Sequence, residues 1–181
     1  MTVSPEMKTR PLLLSLTLLA APAFAETPAA LPSADVFYRK GLEAIQAGDV
    51  DFARSSFEQA LRLDPNHANA RYQLAELNRT APRVAAKGRE AKFGAVMLPQ
   101  IQFTDAELAD ALVALGQMVE KESKGGVTAN FIVEDPRGKL AGKKITLQLK
   151  NLPAKAVLNY LLGQAGAKAR FDEHAIVVQP L

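Results

Sequence analysis

A pattern that recurs in the carboxyl-terminal half of the chain restricts the fold more than any other feature of the sequence. At an offset of 46 residues Phe103 falls on Leu149, Asp105 on Asn151, Leu112 on Leu158 and Leu115 on Leu161. In each copy a strand with alternating apolar residues turns at an acidic or amide residue directly into an amphipathic helix. In the first copy Ile101 and Phe103 alternate with Gln102 and Thr104, and Thr104-Asp105-Ala106-Glu107 reads as a capping box. The helix that follows has one apolar face, made of Leu108, Ala111, Leu112, Leu115 and Val119. In the second copy KITLQLK, residues 144–150, points Ile145, Leu147 and Leu149 inward. Asn151 is then the expected cap of a helix with Pro153 in its first turn and Leu152, Val157, Leu158, Leu161 and Leu162 on its apolar face. Between the copies VTANFIV, residues 127–133, supplies a further strand, closed by the turn chemistry of Asp135-Pro136-Arg137-Gly138. Ala169 and Phe171, then Ile176 and Val178, flank Asp172-Glu173-His174 as a final hairpin. The predicted order over residues 98–181 is βαββαββ, a small sandwich with helices on one or both sheet faces.

Upstream the period changes from 2 to 3.6. Phe37, Gly41, Ala44 and Ile45 mark the inner face of one helix, with Ser33 as its N-cap, and Gly48-Asp49 turns the chain. Ala53, Phe57, Ala60 and Leu61 mark a second helix that ends before Pro65, and a third begins at Ala68. A turn this short makes the first two helices antiparallel. Residues 34–78 are therefore a helical segment, and the whole chain is α+β.

The first 25 residues have the pattern of a secretory leader. Lys8 and Arg10 precede LLLSLTLLA, residues 12–20, and Ala23-Phe24-Ala25 forms an A-x-A cleavage site before Glu26. Glu6 disturbs its start, and initiation at Met7 would give a cleaner leader. An exported product is expected, periplasmic or secreted, and with no cysteine in the chain it carries neither disulfide nor lipid anchor. Loss of Lys8, Arg10 and Glu6 would leave a net charge of +2. Arg79, Arg83, Lys87, Arg89 and Lys92, opposed only by Glu90, carry more than that sum, so residues 79–97 read as a basic linker, either a solvated connector throughout or with a frayed extension of the third helix as far as Pro82.

Two parts of the chain resemble known families. The helical unit resembles the tetratricopeptide repeat, a 34-residue helical hairpin. Phe37, Gly41, Gly48-Asp49, Ala53, Phe57, Ala60 and Pro65 stand at that family's pattern positions, and Ala68 opens a second copy represented by one helix, with Tyr72, Leu74 and Ala75 in register. Residues 99–181 resemble the short N-terminal domain shared by secretins and TonB-dependent receptors. That likeness rests on IQFTDAELADALVALGQ, on NFIVEDPRGKLAGKKITLQLKNLPAKAVLNYLLGQAG and on ARFDEHAIVV. The repeat implies a groove lined by first-helix side chains, here Asp35, Tyr38, Leu42, Asn69, Tyr72 and Glu76. Tyr38, Leu42 and Tyr72 would either meet a partner or pack within the molecule or against a second copy through the helical segment. The second resemblance implies a periplasmic docking or signalling module, without the pore or barrel that accompanies it in those families.

No residue set suggests catalysis, a metal or a cofactor. His67 and His174 fall in turns, where they read as solvated, and the chain has no G-x-S-x-G, no G-x-x-x-x-G-K and no His-Glu-x-x-His. Gly163-Gln164-Ala165-Gly166 matches the GxxG of RNA-binding KH loops, but a strand follows where that fold has a helix. The expected function is non-enzymatic, with no small-molecule substrate: a protein–protein interaction module of the cell envelope, accessory to a secretion, pilus or outer-membrane transport assembly. Its means would be exposed strand edges, with Asn130 and Phe131 on one of them and residues 101–104 on another, together with the helical groove. The alternative is an anionic-polymer binder acting through Arg83, Lys87 and Arg89. Nucleic acid is not expected, because Phe93 is the only aromatic nearby for stacking.

Overall fold

The computed structural model describes residues 33–181, as five helices and five strands. Helix α1, Ala34–Ala47, ends at Gly48, whose φ of 72° lies in the left-handed region. The Asp49 N–H reaches back to the Ala44 carbonyl at 2.9 Å, closing a Schellman turn. The Asp49 side chain then accepts from the Phe52 N–H at 3.0 Å and starts α2, Val50–Leu63. Two residues thus stop one helix and start the next. Gly41 lets the hairpin close, since a methyl group there would stand 2.4 Å from the Phe57 ring.

Helix α3 runs unbroken over Ala68–Ala95, 28 residues, and corrects the expectation of a basic linker over 79–97. Pro82 costs roughly 3 kcal/mol in a helix interior, because it removes the donor to the Asn78 carbonyl. Good helix formers follow it, and tertiary contacts then hold the second half. Gly88 abuts Gly48, where a methyl group on either glycine would fall within 2.5 Å of the other's backbone. Arg89 donates to the Glu173 carbonyl at 2.9 Å and the Thr128 carbonyl at 3.4 Å. Glu90 pairs with Lys155 at 2.6 Å, and Phe93 is fully buried against Phe131 and Phe171. Burial of Phe93 alone contributes roughly 2–3 kcal/mol.

The small domain has the element order expected: β1 Met97–Glu107, α4 Leu108–Glu122, β2 Phe131–Val133, β3 Lys144–Pro153, α5 Ala154–Ala165, β4 Ala167–Phe171 and β5 Ile176–Pro180. Strands β1 and β3 pair antiparallel as one sheet, and the second sheet has the order β2-β5-β4, with β2 parallel and β4 antiparallel to β5. Ile101, Phe103, Ile145 and Leu147 of the first sheet share one core with Ile176 and Val178 of the second and with the apolar faces of α4 and α5. The helices therefore lie between the two sheets.

Both expected caps take a different form. Residues 104–107 stay in β1, and neither Glu107 nor Pro153, the residues before the helices, makes a side-chain cap. Asp105 and Asn151, equivalent in the 46-residue repeat, instead adopt left-handed φ values of 51° and 53°. Acidic and amide residues tolerate that region better than other side chains do. At Asp105 the β1–β3 register shifts, and the chain carries on into the helix. Carbonyls of the residues just before β3 and β1 do the capping: the Leu108 N–H donates to Lys143 at 3.0 Å and the Ala154 N–H to Val96 at 2.8 Å. The strand expected over 127–133 is limited to Phe131–Val133.

Gly88→Ala is expected to destabilise the protein by about 1–3 kcal/mol, the cost of overpacking a backbone contact, as measured by denaturant unfolding. Gly163→Ala, where nothing lies within 4 Å of the added methyl group, should lose no stability.

Candidate functional site: an open strand edge and a helical face

Strand β2 is an edge strand whose backbone directions follow from its pairing. The Ile176 N–H donates to the Asn130 carbonyl and the Glu134 N–H to the Val178 carbonyl, each at 2.8 Å, with Phe131 in register with Ile176. In a parallel ladder the backbones of Asn130, Ile132 and Glu134 thus face β5, and those of Phe131 and Val133 face outward. A groove of about 380 Å³ lies beside this edge. One bank is Val113, Gly116, Gln117 and Glu120 of α4, and the other is Thr128 to Phe131. Gly116 sets its narrow end, because a methyl group there would sit 3.3 Å from the Ala129 oxygen. Val113 of the groove is exposed, and so are Ile132 and Val133 along the strand, large apolar side chains left open to solvent.

Asn130 and Phe131 therefore have different roles. Asn130 is exposed, but its carbonyl is taken by β5 and its side-chain amide reaches the His174 carbonyl at 3.4 Å. Phe131 turns its ring into the core, edge-on to Phe93, and offers its backbone to the open side. The other expected edge, residues 101–104, lies in β1, which pairs with β3 on one side and, in a two-stranded sheet, remains an edge strand on the other. On β3 the Gln164 side chain binds the N–H and the carbonyl of Thr146 at 3.2 and 2.9 Å, as a neighbouring strand would. That amide is the second residue of the GxxG motif, whose role here is to cover an edge.

The helical residues separate into two groups. Tyr38 is half-buried, its ring 6.0 Å from Phe57 and 5.1 Å from His67, and Leu42 packs against the same cluster. Asp35 binds His67 Nε2 at 3.1 Å, and Glu76 pairs with Arg79. Asn69 and Tyr72 are exposed, Tyr72 to 64%. His67 corrects the reading of a solvated turn residue. Its Nδ1 accepts from the Ala70 N–H at 3.1 Å and caps α3, a role its position one residue before Ala68 could have signalled. His174 is exposed in the β4–β5 turn, as expected.

The basic residues are also divided. Arg89 is occupied by two backbone carbonyls, which leaves Arg83 and Lys87 of the three exposed to solvent. Among the described residues, no three His, Asp or Glu side chains converge as metal ligands do, and no helix is long and apolar enough to cross a membrane.

Residues 34–67 match the family model of the tetratricopeptide repeat, which coincides with α1, α2 and the turn into α3. Repeats of this family generally mediate protein–protein interaction and are not catalytic. No curated protein and no solved structure matches the chain.

Tyr38→Ala is expected to cost about 1–3 kcal/mol in chemical denaturation, whereas Tyr72→Ala should stay within about 0.5 kcal/mol of the parent protein. Equal losses would mean that Tyr72 is packed.

Proposed function

We propose that this protein is an exported, non-enzymatic adaptor of the bacterial cell envelope, which joins a component of a secretion, pilus or outer-membrane transport assembly to the small α+β domain and the helical hairpin. The tetratricopeptide match at residues 34–67 carries the reading, since that unit's general use is to hold other proteins. Export rests on the leader pattern of residues 1–25, which lies outside the described residues. The docking role of the small domain rests on its resemblance to the secretin and TonB-receptor N-terminal domain, and the βαββαββ order supports it. Strand addition at β2 supplies the physical means: outward N–H and C=O groups at Phe131 and Val133 give affinity, and the groove beside α4 gives side-chain selection. Tyr72 is the helical anchor, an exposed aromatic whose truncation is expected to leave the fold intact. The polyanion alternative has less support, because Arg89 is held inside the molecule.

Expressed with its leader in a diderm bacterium, the chain should appear in the periplasmic fraction with Glu26 as its first residue, read by intact mass. Retention in the cytoplasm at full length would overturn export. Envelope partners crosslinked to the exported chain should be captured about tenfold less well by Tyr72→Ala and by Val133→Pro. Undiminished capture by both variants would overturn the two-surface reading.

A further inference from the structure

We infer that the open edge of β2 receives the β2 strand of a second copy of this chain, forming a two-fold dimer with a continuous six-stranded sheet. The inference rests on the strand-adding reading of β2 and names its occupant.

The outward-facing backbones of Phe131 and Val133 stand symmetrically about Ile132. An antiparallel second copy centred on Ile132 places Phe131 opposite Val133 of that copy and Val133 opposite its Phe131. Both are hydrogen-bonded pairs, so about four backbone bonds form and no outward group on either three-residue strand is left over. A strand in any other register leaves at least one of them unmatched. On the outer sheet face Ile132 meets itself as a closely spaced pair, and Glu134 falls opposite Asn130. No like charges therefore face each other across the axis, which would be destabilising in a sheet. On the other face Val133, 44% exposed, comes opposite Phe131 of the second copy. The association removes from water Ile132 and Val133, the two exposed apolar side chains of this strand.

The edge has none of the usual protections. Natural edge strands carry lysine, proline or a bulge, or lie under another element, and Phe131-Ile132-Val133 has no charge, no proline and no bulge. The β3 edge is closed by the Gln164 amide, so this fold does cover an edge elsewhere.

Sedimentation of the chain as recovered from its host, over about 1–200 µM, should show a monomer passing to a dimer. Val133→Pro deletes an N–H that the fold does not use, and Ile132→Lys sets two charges against each other at the axis. Each should weaken the dimer at least about tenfold without lowering the melting temperature of the monomer. Because the chain has no cysteine, Ile132→Cys supplies a second readout at an exposed position. The axial pair brings its Cα atoms to about 4.5 Å, within disulfide reach, and oxidation should link two copies. A monomer at every concentration, a dimer indifferent to both substitutions, or protection of the Phe131 and Val133 amides from exchange in the monomer would overturn the inference. If the monomer persists while Val133→Pro still impairs capture of an envelope partner, strand addition stands with another occupant. If capture is also unaffected, both readings fall.

Discussion

The backbone of Gly88 lies against the backbone of Gly48, and the shape of the described molecule depends on that approach. The turn that ends α1 must present a residue with positive φ, and α3 must present a position with no side chain, at the same point in space. With both conditions met, α3 continues past Pro82 and carries Phe93 into the core of the small domain. Arg89 then fastens two loops of that domain to the helix through their carbonyls. The charge that makes the segment look solvated is partly the charge that binds it down.

This explains why residues 79–95 were illegible in the sequence. A packed helix is recognised by large apolar residues at helical spacing, and here the inward positions hold Val84, Ala85, Gly88 and Arg89, with Phe93 the only large apolar side chain that is fully buried. Contacts made by glycine and guanidinium leave only Val84 and Phe93 to mark the buried face, too few to form a hydrophobic period. The hairpin of α1 and α2 was legible because Gly41, Asp49 and Phe57 act through close packing and capping within one unit. The βαββαββ order was legible because alternation and helical spacing switch cleanly at each boundary. The caps differ from the sequence expectation for a physical reason: Asp105 and Asn151 stand where a cap would, but each residue's tolerance of left-handed backbone is what the site uses. Of the site, Phe131 could be picked out as a strand residue. Whether its backbone or its ring faced outward required the register with β5.

The two halves of the repeat also differ in how they treat exposed backbone. Gln164 turns a side-chain amide into a substitute strand beside Thr146. Residue 118, its equivalent 46 positions earlier, is methionine, which cannot do so and instead lines a shallow apolar recess with Leu98 and Pro99. The two strand–helix units thus differ at a position that decides whether an edge is covered, while Asp105 and Asn151 keep the shared left-handed turn.

Helix α3, at 28 residues and 1.5 Å per residue, is roughly 42 Å long, and its far end is tied to both sheets and to α5. Nothing in it resembles a swivel, since the proline lies before the glycine contact and the arginine clasp lies after it. Two proteins gripped at its opposite ends would be held at one spacing and one angle, as by the stem of a calliper, and a load applied to the hairpin would reach the sheets as torque before any slack was taken up.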